Sequence, residues 1–323
     1  MTQFSPLVGV RMTGSGAATP ERILTNDQLA QMVETNDDWI RSRTGIRERR
    51  LVSNSRESVA SLATLAAQRA IAQAGITAED LDLIILATST TDDLFGTATQ
   101  VQARLGAQRA VAFDLVAACS GFVFGLVTAS QYIHTGAFRN VLLIGADVLS
   151  RWVDWGDRRT CILFGDGAGA VVLQAGDRNQ ILGWELRSDG QGHGLLNIAY
   201  STEQQRFEPI TMNGQEVYRF AVRCVPDVIA KALHRAEHAI GEVDWLILHQ
   251  ANQRIIDAVV DRLHLPPERA ISNMATYGNT SAASIPIALA EWVDSGKILP
   301  GHLIVASGFG AGLSWGAVVW RWG

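Results

Sequence analysis

CSGFVFGLVTASQYIHTG, residues 119–136, reads as a helix with small residues at its start, and it runs into NVLLIGAD (140–147), an apolar run too short for a helix. The second half repeats the pair: NTSAASIPIALAEWVDSGK (279–297) leads to GHLIVASGFG (301–310). The same doubling extends outward. SLATLAAQRAIAQAGI (61–76), the acidic turn AEDLD (78–82) and LIILATS (83–89) are echoed by VPDVIAKALHRAEHAIG (225–241), EVD (242–244) and WLILHQAN (245–252). Four matched elements in a row predict an internal duplication with two copies, a period far longer than that of solenoid repeats. Helices alternating with fully apolar strands predict an α/β fold with mixed or largely parallel sheets covered on their faces. The join is expected near QAGDRNQ (174–180), where apolar pattern gives way to Gly and charge, dividing the chain into 1–174 and 175–323.

With 323 residues, 47% hydrophobic and 18% charged, the chain is expected to be globular. A formal net charge of -5 argues against a nucleic-acid binder, which needs a basic face to displace phosphate counterions. The stretch MTQFSPLVGVRMTGSGAATP lacks the basic start and long apolar run of a secretory signal, and no apolar stretch reaches membrane-spanning length. A soluble, cytoplasmic protein is expected. Three cysteines, Cys119, Cys161 and Cys224, without C-x-x-C spacing disfavour both a disulfide framework and a zinc site.

Cys119 lies between the strand-like FDLV and the helix GFVFGLV, where free backbone N–H groups and the helix dipole favour a thiolate. Ala117, Ala118, Ser120 and Gly121 leave room beside it. Cys161 and Cys224 lie in apolar periodic segments and read as core. His249 closes the strand LILHQAN, from which its imidazole can project into a cleft. Asn279 falls at the start of the second-half helix, taken as the point equivalent to Cys119, although it reads equally as a helix cap. The duplication would bring these three together where the halves face each other. The other six histidines show no metal-ligand spacing. FGDGAGAVVL (164–173) and GFGAGLSWGAVVW (308–320) lack G-x-G-x-x-G and run into β-branched strands, so a dinucleotide site is rejected. Their glycines are read as permitting tight turns and close backbone approach.

The set ACSGF, HQANQRI, GNTSAAS and GFGAGLSWG, together with NDDWIRSRTGIRERR, FGDGAGAVVL and MNGQEVYRFAV, resembles the β-ketoacyl-acyl carrier protein synthase III family of thiolase-fold condensing enzymes over essentially the whole chain. The resemblance implies a thiolase-like, five-layered αβαβα fold of two duplicated halves. Cys-His-Asn points to this branch rather than to elongating synthases, which use Cys-His-His. It further implies a decarboxylative Claisen condensation of a short acyl-CoA, acetyl-CoA being expected, with malonyl-acyl carrier protein. Cys119 would hold the acyl group while His249 and Asn279 stabilise the enolate, with no cofactor beyond the coenzyme A thioester substrate.

Backbone N–H groups of Cys119 and Ala311 would form the oxyanion hole. The family commonly has Gly at the latter place, so the donor survives there only if the φ angle suits Ala. Trp39, Arg43 and Arg158 resemble the residues that hold CoA, and Phe95 and Phe309 those of the acyl pocket, with Phe95 closing the pocket of a partner subunit in a homodimer. Arg219, Arg254 and Arg262 match the positions that dock the acidic acyl carrier protein, with Asp261 standing where a Lys is often found. Three rival readings are weighed against this one: a papain-like hydrolase, whose fold has no such duplication; an idle assembly subunit; and a synthase-III-like acyltransferase or ketosynthase of secondary metabolism with another primer or acceptor.

Overall fold

The computed structural model describes residues 8–54 and 56–323. Two five-stranded sheets carry the fold. The first is built from β1 (Gly9–Ala18), β2 (Leu83–Ala87), β3 (Val111–Leu115), β4 (Asn140–Val148) and β5 (Asp166–Gly176), in the order β1-β5-β4-β2-β3. The second uses β6 (Ile181–Ser188), β7 (Trp245–Leu248), β8 (Ala270–Ile271), β9 (Leu303–Gly310) and β10 (Ser314–Arg321), in the order β6-β10-β9-β7-β8. Each strand of the first sheet thus has a counterpart at the same place in the second. Pairing is mixed in the same way in both. β2 lies parallel to β3 and β4, and β7 parallel to β8 and β9, while the other two strands of each sheet join antiparallel.

Four helices recur in the same positions: α1 (Val59–Ala74) and α2 (Gly121–His134) in the first half, α3 (Gly214–Arg235) and α4 (Ser284–Asp294) in the second. α2 and α4 form the middle layer. Their apolar faces, Phe122, Val123 and Leu126 from one and Ile285, Ala288 and Leu289 from the other, share a core with Ile85 and Leu143 of the first sheet and Ile304 and Val318 of the second. This explains why both helices are apolar almost all round: each is covered on two sides by sheet. α1 covers the outer face of the first sheet and α3, with Gln253–Leu263, that of the second, which completes five layers. The glycine-rich 164–173 stretch serves this packing. A Cβ on Gly169 would fall 2.6 Å from the Ile287 backbone nitrogen, so only glycine lets α4 lie flat on β5.

α3 departs from its expected limits. It starts at Gly214, eleven residues before the apolar pattern at 225, and ends at Arg235, with Pro226 inside it. Asn213 caps it by accepting a hydrogen bond from the Glu216 N–H, a signal that lies ahead of the periodic run.

Candidate active site

A short 3₁₀ turn precedes each middle helix: Ala118–Ser120 before α2 and Ser281–Ala283 before α4. The first residue of each turn, Ala118 (φ 46°) and Ser281 (φ 52°), is left-handed, a conformation that costs a residue with a Cβ and marks a position held by its surroundings. The duplicated turns therefore superpose Cys119 on Ala282. Asn279 lies three residues earlier and is not the counterpart of Cys119.

Cys119, His249 and Asn279 line one cavity of about 850 Å³ between the halves. The Cys119 sulfur accepts a hydrogen bond from the Ser281 hydroxyl at 3.3 Å, so the second-half turn touches the first-half thiol. The residue is buried but borders the cavity. Burial pushes its thiol pKa up to about 12, against the lowering effect of the Ser281 hydrogen bond, and the Asp147 carboxylate adds to the rise. Burial thus opposes the thiolate expected from the helix dipole. Desolvation of a buried anion outweighs a helix end that is worth about 1 kcal/mol.

Asn279 is fixed through its backbone by the first half. Its N–H donates to the Leu163 carbonyl at 2.8 Å and its carbonyl accepts from Gly165 N–H at 2.9 Å. Its Oδ1 accepts the Ser281 N–H at 2.9 Å. A backbone N–H can be accepted only by the amide oxygen, so the NH2 group is the end left for the cavity. His249 follows the end of β7, its N–H bonded to the Ser307 carbonyl at 2.8 Å. Its Nδ1 lies 2.8 Å from Ser284 Oγ, and its ring meets Phe309 edge to face at 5.1 Å. Enclosure without a charged partner lowers its pKa to about 3, so the imidazole is neutral. Phe309 is buried and forms part of the cavity wall.

The backbone at Cys119 is pressed against β9. A Cβ on Gly310 would fall 2.8 Å from the Cys119 nitrogen. Ala311 follows immediately, and its φ is outside the left-handed region, so alanine fits there without strain. Neither the Cys119 nor the Ala311 N–H donates to a protein acceptor among the described residues. Backbone N–H groups without a protein acceptor are the kind of donor an oxyanion requires.

Cations ring the mouth. Arg43 borders the cavity with its guanidinium 4.8 Å from the Trp39 ring centroid, whereas Trp39 itself and Arg158, 5.1 Å from the same ring, stand outside the cavity lining. Arg219 and Arg254 border the cavity, the latter above the Tyr218 ring, whereas Arg262 is tied to the Val222 carbonyl and does not line it. Phe95 is fully exposed and lines nothing in its own chain, unlike Phe309. Sequence reasoning missed Arg159, which also borders the mouth, and the supporting hydroxyls Ser281 and Ser284. It also missed Asp147, a fully buried carboxylate that accepts from Thr88, Ser89 and Thr90 and from the Ala282 N–H, and whose pKa burial raises. Among the described residues no group of three or more His, Cys, Asp or Glu side chains is gathered as a metal centre needs.

The family profile for 3-oxoacyl-[acyl-carrier-protein] synthase III matches residues 113–190, and that for its C-terminal part residues 233–322. Beta-ketoacyl-[acyl-carrier-protein] synthase III of Nostoc sp. is 61% identical, over 98% of this chain and 99% of that one. Its namesake in Synechococcus elongatus is 60% identical, over 98% of each. Among solved structures, 3-oxoacyl-[acyl-carrier-protein] synthase III of Aquifex aeolicus superposes with a TM-score of 0.92 at 44% identity, covering 97% of this chain and 100% of that one. The priming beta-ketosynthase of the R1128 polyketide biosynthetic pathway does so at 0.95 and 33%, covering 100% and 99%.

Proposed function

Because the chain belongs to the 3-oxoacyl-[acyl-carrier-protein] synthase III family, we infer that it condenses a short acyl-CoA with malonyl-acyl carrier protein. The products are a 3-oxoacyl-acyl carrier protein, CoA and CO2, the step that starts type II fatty acid synthesis. The observation that carries this reading is the meeting, on one cavity floor, of a buried thiol from one half with an imidazole and an oriented amide from the other.

The chemistry follows from the geometry. The thioester carbonyl of the acyl-CoA enters the pair of free N–H groups at Cys119 and Ala311, and the sulfur attacks it. With a resting pKa near 12, the thiol gives up its proton as the bond forms, and the departing CoA thiolate takes it. CoA leaves and the malonyl thioester replaces it. Loss of CO2 puts negative charge on that thioester's oxygen, where the Asn279 NH2 and the free ring nitrogen of His249 supply hydrogen bonds. A neutral imidazole suits this role because it donates without adding a buried charge. The carbanion then attacks the acyl-Cys119 carbonyl, the C–S bond breaks, and the sulfur leaves as a thiolate that takes a proton from solvent to restore the thiol.

The Trp39 ring and the guanidinium groups of Arg43 and Arg158 beside it suit the adenine and phosphates of CoA. Arg219 and Arg254 suit an acidic carrier protein at the mouth. Acetyl-CoA is the proposed primer. A homodimer is proposed on the exposed pair Leu94 and Phe95, with exposed Val111 at the start of the edge strand β3 and exposed Val116 just after its end. A cytoplasmic location fits the substrates, and no helix among the described residues is long and apolar enough to cross a membrane.

Likeness to a polyketide priming synthase supports a second reading, a ketosynthase with another primer. Intact-mass spectrometry across a panel of acyl-CoAs, followed by addition of malonyl-acyl carrier protein, decides between them. The first reading requires an acetyl adduct on Cys119 that is discharged as acetoacetyl-acyl carrier protein with release of CO2. Selective loading of a longer or branched acyl group selects the second, and hydrolysis without CO2 sinks both.

A further inference from the structure

Ser284, the first residue of α4, turns its hydroxyl sideways onto His249. Its Oγ is 2.8 Å from His249 Nδ1 and accepts the Gln250 backbone N–H at 3.2 Å. That N–H is held in place. The Gln250 side chain, fully buried, donates to the carbonyls of Leu248 (2.7 Å) and Ile271 (3.2 Å) and accepts from Asn273 N–H (3.1 Å). Ser284 and His249 are themselves almost wholly enclosed, 1% and 2% exposed.

A hydroxyl has one proton and two lone pairs. Among the described residues, the Ser284 hydroxyl has no hydrogen-bond partners besides Nδ1 and the Gln250 N–H. If Nδ1 carried the ring proton and donated it to Oγ, the enclosed hydroxyl proton would be left without a protein acceptor among the described residues, a state that folded proteins avoid. If the hydroxyl donates to a bare Nδ1, every group is satisfied. We propose that Ser284 is a positioning residue whose hydroxyl proton locks His249 in the tautomer with its N–H at Nε2, so that the imidazole meets substrate only as a hydrogen-bond donor. It follows that His249 is not the acceptor of the Cys119 proton, since Nε2 is already protonated and Nδ1 is occupied. This rests on the condensing function inferred above, but its first test does not.

The test is nitrogen NMR of the full chain with ring-labelled histidine, the His249 signals being assigned by their absence in His249→Asn. Wild type is expected to show a pyridine-like Nδ1 and a pyrrole-like Nε2, and Ser284→Ala a mixture of the two tautomers. The reverse pattern in wild type overturns the proposal, and this arm holds even if Ser284→Ala fails to fold. Kinetically, Ser284→Ala should slow decarboxylation of malonyl-acyl carrier protein by on the order of tenfold to a hundredfold. Acylation of Cys119 should stay within about twofold, because only the enolate step uses the Nε2 donor. Ser284→Thr, which keeps the hydroxyl, should restore most of the loss. Equal slowing of both half-reactions, or no rescue by threonine, would make Ser284 merely structural and overturn the proposal. The Nε2–H tautomer in a protein that does not condense supports the lock and counts against the functional reading alone.

Discussion

Gly310 runs so close behind Cys119 that an added Cβ would lie 2.8 Å from the Cys119 nitrogen and 2.9 Å from its Cβ. Both contacts are with Cys119's own backbone and stem, which cannot swing aside as a flexible side chain can. Gly310→Ala must therefore part β9 from the 118–120 turn and separate the two free N–H groups. Acylation of Cys119 is expected to fall by on the order of a hundredfold, with a stability loss of about 1–3 kcal/mol. Single-turnover acylation measured beside a thermal melt checks both, and an active, fully stable variant would refute the close approach.

Ala311 gives a cleaner test of the same donors. Its φ is one that alanine adopts freely, so Ala311→Gly should change acylation by no more than a few-fold. Ala311→Pro removes the N–H and should lower the acylation rate by roughly a hundredfold, equivalent to about 3 kcal/mol. Equal activity of the proline and glycine variants would mean that this N–H does not hold the oxyanion.

Thiol reactivity follows from burial. With a pKa pushed up to about 12, Cys119 in the substrate-free enzyme should alkylate slowly at pH 7. The rate with iodoacetamide should climb by about tenfold per pH unit through pH 10 without levelling, because the thiolate fraction is still growing there. Subtracting Cys119→Ala removes the contributions of Cys161 and Cys224. A plateau near neutral pH would show that the helix end dominates after all.

The Trp39 ring with its neighbouring arginines should act on binding and not on chemistry. Removing the ring in Trp39→Ala takes the stacking face from Arg43 and Arg158 together. An increase in KM for acyl-CoA of about tenfold is expected, corresponding to 1–2 kcal/mol of stacking and cation–π contact, with kcat nearly unchanged. A fall in kcat with unchanged KM would move Trp39 out of the CoA site.

The duplication was legible because both halves keep the same periodicity, and β1-β5-β4-β2-β3 matches β6-β10-β9-β7-β8 strand for strand. Cys119 and His249 could be found because each ends an apolar run beside small or polar residues. The placing of Asn279 opposite Cys119 failed by three residues. Helix starts judged from apolar pattern are uncertain by that much, and only the left-handed Ala118 and Ser281 fix the register. Ser281 and Ser284 carried no signal, since a serine before or at a helix start reads as a cap, and only the folded chain shows their hydroxyls aimed at a sulfur and an imidazole. Asp147 closes the apolar run NVLLIGAD, and nothing in that run marks it as buried. Its burial comes from the second half covering it through Ala282, a contact 135 residues away. The same covering explains why the titration of Cys119 could not be read from its place at a helix mouth.

His249 should leave a mark on stability. Its folded pKa, about 3, lies below the ordinary value of 6.5, because burial excludes the charged ring. The unfolded chain takes up a proton as pH drops below about 6.5, while the folded chain does not until near 3. The stabilisation from keeping this ring neutral is therefore fully present above about pH 6.5 and is lost progressively as pH falls toward 3. Over the whole window the loss amounts to a few kcal/mol at order of magnitude. His249→Asn has no such group, so its stability should fall less steeply with acid. Asp147 and the other carboxylates titrate in both proteins and largely cancel in the difference. Denaturant midpoints of the two proteins at pH 7.5 and pH 4.5 provide the measurement. The gap between wild type and variant should shift against the wild type at the lower pH, and curves that stay parallel would mean that the imidazole is open to water and able to carry a charge where it stands.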